Sequence, residues 1–175
     1  MHTLDEACHP WFAIYVKARH EKSIATALDG KGYETFLPTY RRPQKSSRQF
    51  DLPLFPGYVF CRFELSDTLP VVTTPGVFTI VGNGRFPQAV SEEEIGGVRQ
   101  MVRSGLSPCP WPYAAPGNQI FLTAGPLRGL RGVIVDASNE KWLVVSVDLL
   151  RRSIAVKVER DSVDLTSESV PALTG

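Results

Sequence analysis

The chain has 175 residues, of which 43% are hydrophobic and 21% charged, as is usual for a soluble globular protein of one domain or two small ones. Lysine and arginine number 19 against 18 aspartate and glutamate, so the net charge of +1 excludes a strong overall attraction to nucleic acid. Three separated cysteines without a C-x-x-C pair argue against a disulfide scaffold and favour a reducing compartment. Because the sequence shows no signal peptide or membrane span, we expect a cytoplasmic protein with no membrane partner.

The first predicted elements are a strand, a helix and a second strand. Residues 11–16 (WFAIYV) have the β-branched and aromatic composition of a strand. Apolar residues at helical spacing predict a helix that begins at Glu21 and ends at Gly30 or Gly32. Residues 35–40 (TFLPTY) read as a short strand, and their proline places them near a sheet edge or a bulge.

A basic segment follows at residues 41–48 (RRPQKSSR), which hold four positive charges and no negative one. We expect an exposed hairpin loop here. Residues 1–50 carry three more basic than acidic side chains, a local composition suited to phosphate contact. The alternative is a solvated loop without a partner, since basic runs are common on protein surfaces.

The central segment is residues 52–63 (LPLFPGYVFCRF), a turn at Gly57 followed by a strand. Side chains alternate across a strand, so each face can be assigned. One face carries Tyr58, Phe60 and Arg62, and the other carries Val59, Cys61 and Phe63. Both faces are largely apolar. A strand in a small domain needs only one apolar face for its own core, so the other face must be covered by a helix of the same chain or by a partner.

The first half of the chain ends with a strand and a helix. Residues 77–81 (VFTIV) predict the strand, and Ser91 with Glu94 forms a capping box that opens the helix. That helix is expected to bury Ile95 and to stop near Gly105. The order β, α, β, β, β, α predicts an α+β domain over residues 10–106, with a mostly antiparallel sheet and helices on one face.

Four prolines in residues 107–116 (SPCPWPYAAP) predict a linker and a domain boundary. Beyond it, short strands separated by turn signals predict a small five-stranded SH3-like barrel over residues 117–166, and residues 167–175 are expected to be a flexible tail. The predicted strands are 120–122, 132–135, 142–147, 154–158 and a short piece near Val163.

A catalytic or metal site has little support. The three histidines, His2, His9 and His20, lack metal-ligand spacing with one another and with the cysteines. The adjacent acids Glu92 and Glu93 diverge around a helix and are better explained by the helix dipole. The sequence predicts that the protein is not an enzyme and requires no cofactor.

Four segments of the first half carry a family resemblance: WFAIYVKARHEK, LPLFPGYVF, TTPGVFTIVG and SEEEI. In that order they resemble the amino-terminal domain of the NusG family of transcription elongation factors. The segment PGNQIFLTAGPLRGLRGVIVD is similar to the KOW motif of that family. Together the two matches cover about residues 10–166. Within the family the segments look most like the specialised paralogues LoaP and UpxY, with RfaH more distant.

The resemblance implies that an apolar surface of the first domain binds the clamp helices of RNA polymerase. Matched position by position, this surface consists of Tyr15, Tyr40, Phe55, Tyr58 and Phe60. The alternative for Phe55 is that it fills the core of its own domain. A second polymerase contact would fall at Val72, Thr73 and Thr74, where the family's His-Thr-Thr pattern is incomplete.

The resemblance also implies nucleic-acid and second-domain contacts. Non-template DNA, or nascent RNA, would approach a basic surface made of Lys17, Arg19, His20, Lys22, Arg41, Arg42, Lys45 and Arg48. In the KOW segment, Gly125, Gly129 and Gly132 stand where a tight bent strand and turn need no side chain. The barrel's partner in the family is a ribosomal protein or Rho. Gln119, Phe121 and residues 149–152 depart from the family pattern on that surface.

The sequence is therefore read as a monomeric, two-domain elongation or antitermination factor that closes the polymerase clamp and suppresses pausing or termination. The alternative is an RNA-binding or ribosome-associated KOW-barrel protein. β-Branched residues and glycines across the second domain predict a permanent β-barrel rather than a helical hairpin. A tethered barrel would leave Tyr58 and Phe60 exposed in the free protein.

Overall fold

The structure, a computed structural model, describes residues 8–42, 50–115 and 119–158. Predictions for the loop cations Lys45 and Arg48, for a strand near Val163 and for the tail 167–175 lie outside the described residues. By compactness the chain divides into one unit of residues 1–37 and 57–92 and a second of residues 38–56 and 93–175. The sequence instead predicts a boundary at 107–116. No helix among the described residues is long and apolar enough to cross a membrane.

The first unit is an antiparallel sheet with a helical layer on one face. Its elements are β1 (Trp11–Val16), α1 (Glu21–Gly30), β2 (Glu34–Phe36), β5 (Tyr58–Arg62), α2 (Leu69–Val72), β6 (Val77–Ile80) and β7 (Ala89–Val90). The sheet order is β2-β5-β1-β6, and β7 also pairs with β1. The predicted α+β fold is confirmed, and α1 begins at Glu21 as its apolar spacing predicts.

The core of this unit lies between α1 and the sheet. Ile24 and Leu28 on α1 pack with Val59, Cys61 and Phe63, all of them almost fully buried. Burying an aliphatic side chain of this size stabilises the fold by about 1.5–3 kcal/mol. The alternation predicted for the central strand is therefore confirmed on this face.

The opposite sheet face is also buried along most of its length. Trp11 and Phe60 are fully buried, and the Phe36 ring lies 6.4 Å from that of Trp11 and 6.1 Å from that of Phe60. The Arg62 guanidinium lies over the Trp11 ring at 4.7 Å. The prediction that Phe60 is exposed is wrong, because its ring has no solvent-accessible surface and packs beside that of Phe36.

The second unit contains a hairpin, a helix and an all-β sheet. Its described elements are β3 (Thr39–Arg41), β4 (Asp51–Pro53), α3 (Glu92–Arg103), β8 (Cys109–Trp111), β9 (Gln119–Phe121), β10 (Arg131–Ala137), β11 (Glu140–Val147) and β12 (Arg152–Val158). β3 pairs with β4, and the larger sheet has the order β8-β12-β11-β10-β9. Four predicted barrel strands are confirmed as β9 to β12, whereas β8 comes from the proline-rich segment that was predicted as a linker.

Close backbone packing in the five-stranded sheet β8 to β12, called the barrel below, explains one of the KOW glycines. A Cβ at Gly132 would lie 2.7 Å from the Val144 carbonyl oxygen and 2.9 Å from Leu143 Cδ1, so β10 can approach β11 only without a side chain there. Gly125 and Gly129 lie in the turn before β10, at positive φ. A Cβ at either of these two positions would meet no atom within 4 Å.

Helix α3 packs on the barrel. A Cβ at Gly97 would lie 3.0 Å from Leu130 Cδ1 and 3.5 Å from Val145 Cγ1. Gln100 Nε2 donates to the Arg128 carbonyl oxygen at 2.8 Å. Gly97 thus lies on the side of the helix that faces the barrel, and Ile95, Val98 and Met101 of the same helix are also buried.

Candidate partner-binding surface

Three aromatic side chains form a cluster at one end of the first sheet. Tyr15 on β1 is opposite Tyr58 on β5, with ring centroids 5.5 Å apart, and the Phe78 ring on β6 lies 5.3 Å from that of Tyr15. Tyr15 is 43% exposed and Phe78 61% exposed, while Tyr58 is half-buried. We call Tyr15, Tyr58 and Phe78 the aromatic cluster. This cluster is the solvent-exposed part of the sheet face opposite α1.

Sequence reasoning did not identify Phe78 as part of this surface. Strict alternation along β6 would put Phe78 on the same side as Ile80, which packs in the α1 core. The register between β1 and β6 shifts at Tyr15 and Val16, where Tyr15 is opposite Thr79 but Val16 is opposite Val77. Such a bulge leaves one extra residue unpaired and re-aims its side chain. Phe78 is that residue, and no local sequence signal marks the shift.

The turn before Tyr58 is held by a buried carboxylate. Gly57 has a φ of +84°, a conformation that glycine adopts without strain. Its N–H donates to Glu21 Oε1 at 2.9 Å, and its carbonyl oxygen accepts from the Val16 N–H at 2.9 Å. A Cβ at Gly57 would also lie 3.5 Å from the Tyr15 ring. Glu21, only 5% exposed, therefore fixes the turn that positions Tyr15 and Tyr58.

A shallow groove of about 610 Å³ runs from the aromatic cluster along β6. Its lining includes Tyr15, Tyr58 and Thr79 near the cluster, and Phe86 and Pro87 from the loop after β6. Phe86 is 67% exposed. Exposed aromatic side chains around one groove form an apolar patch of the kind that marks an interaction site.

The other residues predicted at the apolar surface occupy different positions. Tyr40 lies on β3 and is half-buried. Phe55 is 1% exposed, as the core alternative for this residue requires. With Phe60 also buried, these two phenylalanines offer no surface to a partner in this conformation.

The predicted second contact is split between surface and interior. Val72 and Thr73 are exposed, whereas Thr74 is buried. Lys31 Nζ donates to Thr74 Oγ1 at 2.8 Å and to the Pro70 carbonyl oxygen at 2.7 Å. Thr74 therefore has a structural role, in holding α2 against α1.

The basic turn lies beside the aromatic cluster. Lys17, Arg19, His20 and Lys22 are all exposed in the segment between β1 and the first turn of α1. Arg19 has a φ of 67°, a left-handed conformation that is uncommon for a residue with a side chain. In the second unit Arg41 and Arg42 are exposed, and Arg41 pairs with Asp51 at 3.1 Å.

No group of three or more candidate metal ligands occurs among the described residues.

Burial raises the pKa of the Cys61 thiol to about 12, and the nearby Asp29 carboxylate adds to the shift. A thiol with so high a pKa holds its proton at neutral pH and is a poor nucleophile.

Comparison with known proteins gives a consistent result. Residues 9–99 match the NusG sequence family, described as transcription termination factor nusG. The NusG transcription termination/antitermination protein of Helicobacter pylori is 21% identical over 170 residues, covering 88% of this chain and 97% of that protein. The Pseudomonas aeruginosa protein is 25% identical over 175 residues, with the same two coverages. The Thermus thermophilus protein is 26% identical over 175 residues, covering 85% and 94%.

A solved structure of Thermotoga maritima NusG has the same fold. It superposes with a TM-score of 0.54 at 18% identity, covering 88% of this chain and 95% of that one. At this identity the likeness supports the arrangement of secondary structure rather than any particular contact.

Proposed function

Because the chain belongs to the NusG family of transcription termination/antitermination factors, we propose that it binds RNA polymerase at the clamp helices, closes the clamp and suppresses pausing or termination. The observation that carries the proposal is the aromatic cluster, which is exposed at a sheet end beside a basic turn. The proteins of this family are transcription factors rather than enzymes.

The aromatic cluster has the properties of a protein-binding anchor. Tyrosine and phenylalanine are enriched in interface cores, where rigid rings bury a large area at low entropic cost. The buried Glu21–Gly57 hydrogen bond holds Tyr15 and Tyr58 in place before binding, which lowers the cost of ordering them. An apolar helical surface of the polymerase clamp is a suitable partner for such a patch.

The neighbouring basic turn suits nucleic acid. Lys17, Arg19 and Lys22 are exposed cations next to the aromatic cluster, and we propose that they contact phosphates of non-template DNA or nascent RNA near the polymerase. Because the net charge of the protein is small, these phosphate contacts are too weak to form a complex by themselves. They strengthen a complex that forms through the aromatic cluster.

Further parts of the proposal concern the organisation of the chain. We propose a polymerase-binding domain over residues 10–106 and a KOW barrel over residues 117–166 that engages a ribosomal protein or Rho, in a monomeric protein. We also propose a specialised paralogue of the LoaP or UpxY kind. Depletion in the host should then change transcription of a few operons, whereas a genome-wide change would indicate a general factor.

The test is polymerase binding by single alanine variants. Tyr58→Ala and Phe78→Ala should each weaken binding by about 1–3 kcal/mol, as is usual for central aromatic anchors. Phe121→Ala is the matched control for Phe78→Ala, because it also removes an exposed phenyl ring, but from β9 of the barrel. Unchanged polymerase binding by both cluster variants, with RNA binding lost in Phe121→Ala, would favour the RNA-binding barrel instead.

A further inference from the structure

The proline-rich segment between α3 and the barrel lies along an edge of the barrel. We call residues 109–114 the strap. Its first three residues form β8 and pair with β12, with Cys109 opposite Ala155 and Trp111 opposite Ser153. Pro110 has no N–H, so the donors that β8 offers to β12 are those of Cys109 and Trp111. Pro110 and Pro112 are exposed on the strap.

Two serines of the barrel bind the backbone of the strap. Ala114 N–H donates to Ser153 Oγ at 3.0 Å, and Ser146 Oγ donates to the Ala114 carbonyl oxygen at 2.8 Å. The two hydroxyl oxygens lie 2.7 Å apart on adjacent strands, so Ser153 donates to Ser146. This pair satisfies both backbone groups of one residue, and it would do so for almost any side chain at that position.

Side-chain contacts on both sides of this serine pair recognise aromatic residues. The Trp111 ring packs on the Trp142 ring, with centroids 5.0 Å apart. The Tyr113 hydroxyl donates to Asp148 Oδ1 at 3.1 Å, and the Arg151 guanidinium lies over the Tyr113 ring at 4.2 Å. Pairing along a sheet edge combined with pockets for alternate side chains is how barrels and sheets bind extended peptides.

We propose that this barrel face is a recognition site for an extended aromatic–proline–aromatic peptide, which the chain's own strap occupies. A partner protein that presents a segment of this chemistry binds the barrel by replacing the strap. The contacts that define the site are the edge of β12, the Ser146–Ser153 pair, Trp142 and the Asp148–Arg151 pair. This inference concerns the barrel alone and does not depend on binding of polymerase by the aromatic cluster.

The strap pairs with the barrel over a short length and follows a strained connection, so a competing segment can displace it. It pairs with β12 over three residues, whereas β11 pairs with β12 over seven. The connection from α3 contains Gly105 and Ser107 at φ of +76° and +54°, and the second value is unfavourable for a residue with a side chain. The short connection nevertheless keeps the strap at a high effective concentration, so the closed site is the resting state.

The experiment measures binding of a labelled peptide to the full chain. The probe is a synthetic peptide with the sequence of residues 107–115, carrying Cys109→Ser to prevent disulfide formation. The strap is weakened by Trp111→Ala with Tyr113→Ala, and separately by Ala114→Pro, which removes the N–H donated to Ser153. We expect the weakened proteins to bind the peptide with a Kd at least about tenfold lower than the wild type, because the competing strap is released.

Controls decide whether the peptide occupies this site. Adding Ser146→Ala and Ser153→Ala to a weakened protein should abolish most of the gain. Equal binding by wild type and weakened proteins, or no binding by a weakened protein with a cooperative melting transition, would overturn the proposal. Hydrogen exchange of the wild type gives an independent readout: the Trp111 and Ala114 amides should exchange faster than those of β11. Exchange of both only at the global unfolding rate would also overturn it.

Discussion

Replacing Glu21 by alanine tests whether one buried carboxylate holds the turn before Tyr58. The variant leaves the Gly57 N–H without its acceptor in a place that water does not reach. Hydrogen bonds to charged groups contribute about 1.5–3 kcal/mol, and a favourable interaction of the acid with the first turn of α1 adds about 0.3–1 kcal/mol. We therefore expect Glu21→Ala to lower the free energy of unfolding by about 2–4 kcal/mol.

Urea denaturation measures this loss, and Glu21→Gln is the matched variant. The amide oxygen of glutamine still accepts the Gly57 N–H, so this variant loses mainly the charge and should cost about 1 kcal/mol. Glu64→Ala removes an exposed carboxylate and should change stability by less than about 0.5 kcal/mol. A Glu21→Ala protein as stable as the Glu64→Ala control would refute the role assigned to the Gly57 hydrogen bond.

The same substitution also connects the turn to the aromatic cluster. If Glu21 positions Tyr15 and Tyr58, then Glu21→Ala should change the near-ultraviolet circular dichroism of these tyrosines and weaken polymerase binding. Glu21→Gln should restore most of both. A loss of stability without either change would mean that Glu21 serves the fold but not the surface.

Glycine substitutions and thiol chemistry give further tests. Gly132→Ala should destabilise the protein by about 1–3 kcal/mol, because its Cβ would lie 2.7 Å from the Val144 carbonyl oxygen. Gly96→Ala, on the exposed side of α3, should instead stabilise it by about 0.5–1 kcal/mol. Thermal melts measure both changes, and a shift of the melting temperature in the same direction for both variants would contradict the packing assigned to Gly132. In the folded protein the pKa of Cys61 is raised from 9.0 to about 12, so this thiol contributes stability that is present below pH 9 and lost as the pH rises toward 12. In Cys61→Ala the free energy of unfolding should therefore depend less on pH between 9 and 12 than it does in the wild type. At pH 8 a thiol reagent should label exposed Cys8 in the folded protein and buried Cys61 only after unfolding, and rapid labelling of Cys61 would contradict its burial.

Local pattern was enough to predict most elements of this fold. The alternation of residues 58–63 identifies which side chains face α1, and the spacing of apolar residues locates α1 itself. The β-branched runs of the second half predict β10 to β12, since such residues favour strands over helices. The motif LPLFPGYVF carries much of the resemblance to the family, and it also contains the Gly57 turn and the two-sided apolar strand.

The candidate surface was predicted in part. Tyr15 and Tyr58 are at the solvent-accessible end of the sheet, where a partner could reach them. Phe55 and Phe60 have the same apolar character but are buried, because residue type does not determine what covers a face. Phe78 was missed because a register shift between β1 and β6, rather than its own neighbours in sequence, turns it outward.

The sequence by itself determined the periodicity, the turns and the faces of the strands, because these depend on residues within a few positions of one another. The tertiary structure alone decided which apolar faces are covered, that the Gly97 face of α3 packs on the barrel, and that a proline-rich segment pairs with β12. Prolines disfavour a strand because they lack a backbone N–H. An edge strand, however, bonds its neighbour through alternate residues only, and Cys109 and Trp111 can supply these N–H groups to β12. Pairings between residues more than 40 positions apart, such as Trp111 with Ser153, leave no periodic trace in the chain.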